Sequence, residues 1–180
     1  MQTPGSYDIR PTSDRTRGAL FNILMYGKPL IAGFSLQGCR ALDVFAGTGS
    51  VGLEALSRGA AHVSFIEISK KNIAILCNNI NSLCNGHGTT VIHGDALKPP
   101  TPVKACGLIY LDPPYGRDLW IPALTNLSNS GWMVKGAICC IELGRHEHFS
   151  IPLNFVLLEK RHYGATQIVF LIWLGESDRS

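Results

Sequence analysis

Apolar residues in this chain recur with two periods that trade places along its length. Leu20, Phe21, Ile23 and Leu24 fall at helical spacing behind Ser13 and Asp14, either of which can cap a helix, and Gly27 and Pro29 are placed to end it. Beyond that point, short apolar runs alternate with stretches of helix length. The pattern predicts strands at 39–45, 63–68, 89–93, 108–111 and 137–143, and helices around 52–58, 70–83 and 117–128. Such alternation predicts a parallel sheet with helices on both faces. Two further extended runs, 155–161 and 167–174, flank a short turn at Tyr163-Gly164-Ala165 and predict a terminal hairpin.

Composition sharpens this picture only a little. A chain of 180 residues with 46% hydrophobic and 16% charged content is expected to form one globular domain over residues 1–180. Residues 1–30 would form a helical substrate-contact segment and residues 39–180 the sheet-based core. No apolar run approaches the roughly 18 to 20 residues that span a bilayer, so a cytoplasmic protein is expected. The six cysteines show no Cys-x-x-Cys spacing and several lie inside apolar runs, so neither disulfides nor a metal site is expected. His146 and His148 lack the partners that a metal centre needs. The net charge of +3 is small, but Arg10, Arg15, Arg17 and Lys28 gather near the start and Lys160, Arg161 and His162 near the end.

Candidate chemistry begins where the run ending at Leu111 meets Asp112-Pro113-Pro114-Tyr115. Proline has no N–H for a ladder and restricts the residue before it, so Asp112 closes the strand and sits at a carboxyl edge. Ligands bind along that edge in open parallel sheets. Two prolines stiffen the turn and present carbonyls beside an acid and an aromatic face, a combination suited to a planar amine. An ordinary strand-ending turn is the plainer alternative, as is a core role for Tyr115 beside Trp120.

The segment from Leu42 to Gly52 runs from a strand through a glycine-rich turn into a helix. Gly47, Gly49 and Gly52 satisfy the Gly-x-Gly-x-x-Gly pattern, and Glu67 ends the next strand where a ribose-binding acid is expected. This fits NAD as well as S-adenosylmethionine. Asp43 favours the second, because an acid before the loop repels a pyrophosphate and attracts an ammonium or sulfonium charge. Asp95 ends the third strand, so Asp43, Glu67, Asp95 and Asp112 would line one edge of the sheet. Each could instead cap the following helix. Assigned to a ligand, Asp43 faces methionine, Glu67 the ribose hydroxyls and Asp95 the adenine amine, leaving Asp112 for the substrate.

The run Arg10-Pro11-Thr12-Ser13-Asp14-Arg15-Thr16-Arg17, then Leu20-Phe21-Asn22, the loop 43–52, Gly52-Leu53-Glu54-Ala55-Leu56-Ser57-Arg58-Gly59-Ala60, Asp112–Tyr115 and Arg161-His162-Tyr163-Gly164-Ala165-Thr166 together resemble the RsmD family of bacterial 16S ribosomal RNA guanine-N2 methyltransferases. The resemblance covers nearly the whole chain. It implies a class I, Rossmann-like methyltransferase fold with a seven-stranded, mostly parallel sheet and a C-terminal antiparallel hairpin. It also implies S-adenosylmethionine as methyl donor and 16S ribosomal RNA or the assembling small subunit as partner of a monomer. Expected cofactor contacts are Asp43, Phe45, Ala46, Gly47, Gly49, Glu67, Ile68, Asp95, Ala96 and Asp112. Asp112, Pro113, Pro114 and Tyr115 would form the catalytic turn, and Arg10, Thr12, Arg15, Arg17 and Asn22 would contact RNA. The sequence departs from the family in having only Met1–Ile9 where a glycine- and arginine-rich segment is usual, and in Gly18 where an acid is common.

Three other functions compete. An adenine-N6 or cytosine-N4 methyltransferase would use the same acid-Pro-Pro-aromatic device, but 180 residues show no target-recognition insertion. A non-catalytic RNA-binding or assembly module has little use for an intact Asp112 turn. An NAD oxidoreductase leaves that turn unexplained.

Overall fold

The computed structural model describes residues 14–175. The chain enters through α1 (Asp14–Tyr26) and α2 (Lys28–Ile31), and then β1 (Arg40–Val44), α3 (Ser50–Ser57), β2 (His62–Glu67), α4 (Lys70–Cys84) and β3 (Thr89–His93) follow in alternation. After β4 (Cys106–Leu111) come α5 (Trp120–Asn129), β5 (Met133–Gly144), β6 (Phe155–Tyr163) and β7 (Thr166–Trp173). The seven strands form one sheet in the order β3-β2-β1-β4-β5-β7-β6. Neighbours from β3 to β5 are parallel, whereas β7 lies antiparallel between β5 and β6. This is the mixed sheet with a C-terminal hairpin expected of the class I methyltransferase fold.

Strands β1, β2 and β4 are buried almost throughout, as strands covered on both faces must be. One core, containing Leu20, Phe21, Leu53, Phe65, Leu76 and Tyr110, packs α1, α3 and α4 onto one face. The other, containing Leu42, Val44, Ile109, Trp120, Leu124 and Leu127, packs α5 onto the opposite face. The buried Cys106, Cys139 and Cys140 behave as small apolar side chains, and burial pushes the Cys106 thiol up to about 12.

Several boundaries differ from the sequence expectation. Pro29 starts a helix rather than ending one: α1 stops at Tyr26, and Pro29 occupies the first turn of α2, where its missing N–H costs nothing. Helix α5 begins at Trp120 instead of Arg117, because Gly116 and Asp118 have φ of 71° and 46° and break any helical continuation. The hairpin turn shortens to Gly164-Ala165, with Gly164 at φ 58°, as tight two-residue hairpin loops require.

Candidate active site at the carboxyl edge of the sheet

Register fixes the site. Val44 of β1 pairs with Ile66 of β2 and with Leu111 of β4, and Glu67 pairs with His93 of β3, so the four strands end nearly level. Along that edge the acids follow the spatial order Asp95, Glu67, Asp43, Asp112. The chain leaves β1 in one direction to β2 and β3 and returns on its other side at β4, which makes the β1–β4 junction the topological switch point.

Past β1 the backbone turns sharply. Phe45 takes φ 61°, a conformation that costs an aromatic residue about 1–3 kcal/mol, and Gly47 and Gly49 follow at 55° and 80°. Gly49 and Gly52 are packing glycines: a Cβ on Gly49 would lie 2.3 Å from Leu76 Cδ1, and one on Gly52 would lie 2.3 Å from the Phe65 ring. Above Gly47, by contrast, a Cβ would approach only the Phe45 carbonyl oxygen, at 4.0 Å. The loop therefore presents open backbone at Gly47 while its later glycines seat α3 against the sheet.

The acids organise this loop. Gly49 caps α3 without a side chain, and Asp43 Oδ2 accepts the Gly52 N–H at 2.8 Å from across the turn. Asp43 is only 3% exposed, which puts its carboxyl beneath the loop. Burial raises its pKa to about 7, against the lowering effect of the Gly52 bond and with a smaller raising contribution from the Glu67 charge. Glu67 accepts the Gly47 and Ser69 N–H groups, each at 2.7 Å, stitching the loop to the start of α4. Asp95 Oδ1 accepts the Leu97 N–H at 2.9 Å in a local turn, with Ala96 buried beside it. Of these three acids, Asp43 alone serves the first turn of a following helix. Ile68, next to Glu67, is 64% exposed and leaves an apolar face at the β2–β3 edge.

On the other side of the switch point, Asp112 is half-buried and its N–H reaches the Val44 carbonyl at 3.5 Å. Pro113 is buried, and Pro114 is exposed. Tyr115 is 49% exposed, with its hydroxyl 3.5 Å from Thr166 Oγ1, while Trp120 lies in the core; Tyr115 is thus not the core aromatic that the plainer alternative required. The turn is tied down by residues absent from the sequence expectation. Glu147 accepts the Gly116 N–H and also the Gly144 N–H at 2.8 Å. Gln167, fully buried, donates to the carbonyls of Gly144 and Glu147, each at 2.9 Å. Glu142, two residues before the end of β5, is 4% exposed and accepts the Tyr110 hydroxyl at 2.7 Å. A lone acid in the apolar run 137–143 was its only sequence signal.

The expected RNA contacts divide. Arg10 and Thr12 lie outside the described residues. Arg15 and Asn22 are exposed on α1, whereas Arg17 is engaged by Asp14 at 2.7 Å and Glu54 at 3.9 Å. Among the described residues, no group of three or more His, Cys, Asp or Glu side chains is arranged to hold a metal ion, and no helix is long and apolar enough to cross a membrane.

Known proteins resemble this chain in sequence and in fold. The model of the family described as Conserved hypothetical protein 95 matches residues 1–172. Ribosomal RNA small subunit methyltransferase D of Haemophilus influenzae is 34% identical over 163 residues, covering 88% of this chain and 80% of the relative. The protein of the same name from Escherichia coli K12 is 31% identical, covering 99% and 87%. Among solved structures, YhhF of Escherichia coli superposes with a TM-score of 0.78 at 28% identity, covering 93% of this chain and 89% of that one.

Proposed function

Because this chain belongs to the family of Conserved hypothetical protein 95, the RsmD methyltransferase family, we propose that it transfers a methyl group from S-adenosylmethionine to the exocyclic N2 amine of a guanine in 16S ribosomal RNA. The observation that carries this reading is the position of Asp112–Tyr115 at the end of β4, beside the glycine loop of β1. A cofactor and a planar amine held at those two places would meet at the switch point.

The residues present fit that cofactor, which family and fold make the usual one. Open backbone at Gly47 admits a close ligand, and the exposed Ile68 offers an apolar surface for adenine, with Asp95 and Ala96 at its edge. Glu67 lies between them at the ribose position. Asp43, with Phe45, Ala46 and Gly49, shapes the loop from below and supplies negative potential toward a cationic methionine. S-adenosylmethionine supplies, when bound, an electrophilic methyl group on a positively charged sulfur.

Asp112 and the Pro113 carbonyl would accept hydrogen bonds from the target amine. That holds the nitrogen, aims its lone pair and stabilises the positive charge growing on it. The methylated nitrogen then loses a proton to Asp112 or, through it, to water, so Asp112 needs no unusual basicity beforehand. The exposed ring of Tyr115 stacks on a base that is unpaired or flipped out, a contact worth about 1–3 kcal/mol. Arg15 and Asn22, with Arg10, Thr12 and Arg17 of the same run, would approach phosphates.

Tritiated-methyl transfer to small-subunit particles lacking the modification, with free RNA and DNA alongside and nucleoside analysis afterwards, tests the proposal. Label in N2-methylguanosine is expected. Label in methyladenine or methylcytosine overturns the substrate, and measurable S-adenosylmethionine binding without any label overturns the catalytic role.

A further inference from the structure

We propose that the loop after β5 and the turn between β6 and β7 form an RNA-binding face, with Arg145 as its anchor on a backbone phosphate next to the target base. The inference rests on the methyltransferase reading above and adds a contact surface that the α1 residues do not supply.

Hydrogen bonds gather three segments, distant in sequence, beside the catalytic turn. The Tyr115 hydroxyl lies 3.5 Å from Thr166 Oγ1, and Thr166 is the register partner of Gly144. The next residue, Arg145, donates its backbone N–H to the Ala165 carbonyl at 2.8 Å and its Nη1 to the Gly164 carbonyl at 3.1 Å. Gly116 donates to Glu147, which draws the chain around Tyr115 onto the same loop. Arg145 therefore stands one residue beyond the strand pair that Tyr115 touches, on the stretch of edge that a base stacked on Tyr115 would border.

Charges on these segments are sorted by exposure. Arg117, Arg145, Lys160 and Arg161 are exposed, as are His146, His148 and His162. Of the acids, Glu159 is 8% exposed and paired with Arg161, and Glu147 accepts the Gly116 and Gly144 N–H groups, whereas Asp118 is exposed. Lys160 is held over the Phe149 ring, 5.7 Å from its centroid. Among the described residues, Arg145 has no carboxylate partner. The Gly164 carbonyl takes one of the five guanidinium donors, and the Nε–Nη2 edge can give two parallel bonds to a phosphate. Fixed to the turn through both backbone and side chain, this cation loses little freedom on binding. Arg161, by contrast, would first have to release Glu159. A strand that delivers a base to Tyr115 carries a phosphate on every nucleotide, so the charge it brings past Arg145 is the complementary one.

Filter binding over a salt series tests the face, with full-length protein, unmodified 16S ribosomal RNA transcript and small-subunit particles lacking the modification. Arg145→Gln removes the charge and keeps an amide donor for the Gly164 carbonyl. On both probes it should reduce the slope of log affinity against log salt concentration by about 0.7–0.9, and at about 0.15 M salt KM for particles should rise about fivefold. Arg145→Lys should keep the wild-type slope. Lys135→Gln, an equal loss of charge near the start of β5 at the opposite edge of the sheet, should leave the slope unchanged. The melting temperature and S-adenosylmethionine binding by calorimetry should not move in Arg145→Gln. An unchanged slope in Arg145→Gln, or an equal loss in Lys135→Gln, overturns the face. A loss on particles without one on the transcript overturns it too and assigns the surface to a protein of the particle. Failure of the wild-type enzyme to form N2-methylguanosine overturns the methyltransferase reading instead, because the salt slope is read without any methyl transfer.

Discussion

The two halves of the carboxyl edge are built on different plans. Around β1, β2 and β3, each acid accepts backbone N–H groups of the segments that leave the strands: Asp43 from Gly52, Glu67 from Gly47 and Ser69, Asp95 from Leu97. The β4–β5–β7 half is held by bonds between distant segments, from Tyr110 to Glu142, Gly116 to Glu147, and Gln167 to Gly144 and Glu147. The first half uses its acids to shape a loop, while the second leaves the half-buried Asp112 and an exposed aromatic ring, Tyr115, beside a buried acid, Glu142. In the proposed function the first half serves as a preformed cradle and the second as the reacting face.

Asp112→Ala should break that separation most visibly. Removing the carboxyl that holds the target amine should lower methyl transfer by on the order of 10³-fold. S-adenosylmethionine affinity should stay within about twofold, since the loop that shapes the other half is untouched. Single-turnover methylation and calorimetry measure the two effects, and an Asp112→Ala enzyme that keeps its rate would refute the mechanism.

Asp43 sharpens the comparison through pH. Its carboxyl titrates near 7 in the folded protein against 3.8 as the ordinary value, so the folded state binds its proton more tightly. Its contribution to stability is fully present below about pH 4 and is lost as pH rises toward 7, by at most about 1.4 kcal/mol per pH unit. Asp43→Asn can still accept the Gly52 N–H but does not titrate. Without cofactor, the wild-type unfolding free energy should fall more steeply than that of Asp43→Asn between pH 5 and 7. Above pH 7 the order for S-adenosylmethionine binding should reverse, with the wild-type protein binding more tightly because its ionised carboxyl favours a cation. Denaturant titrations at each pH check the first statement, and superimposable curves would show that burial leaves Asp43 unperturbed.

The same contrast explains what was legible in the sequence. The strands and the glycine loop were visible because their signals are local: apolar runs of strand length, Gly47-x-Gly49-x-x-Gly52 within six residues, an acid at each strand end. Even there, helix capping was only one option for Asp43 and Glu67, and which N–H groups their oxygens would meet depends on the path of the turn at Phe45. Glu142, Glu147 and Gln167 were passed over because partners of theirs lie 32, 31 and 23 residues away and are brought near only by the pairing of β5 with β4 and with β7. Helix α5 was placed three residues early for a related reason, as nothing in Arg117-Asp118-Leu119 announces the positive φ at Asp118.

The smallest effect lies in α1, where two arginines that look equivalent in sequence have different surroundings. Arg15 is exposed, whereas Arg17 is 22% exposed along its side chain and held between Asp14 and Glu54. If α1 borders the proposed RNA site, Arg15→Ala should lower the dependence of log affinity on log salt concentration by about one without changing the melting temperature. Arg17→Ala should do the reverse, leaving the salt slope unchanged while costing less than about 1 kcal/mol of stability, as partly solvated ion pairs do. Filter binding over a salt series and thermal melts separate the cases. A reduced slope in Arg17→Ala would mean that phosphate outcompetes Asp14 and Glu54 for this guanidinium, which would move α1 from the structural frame into the RNA-contact surface.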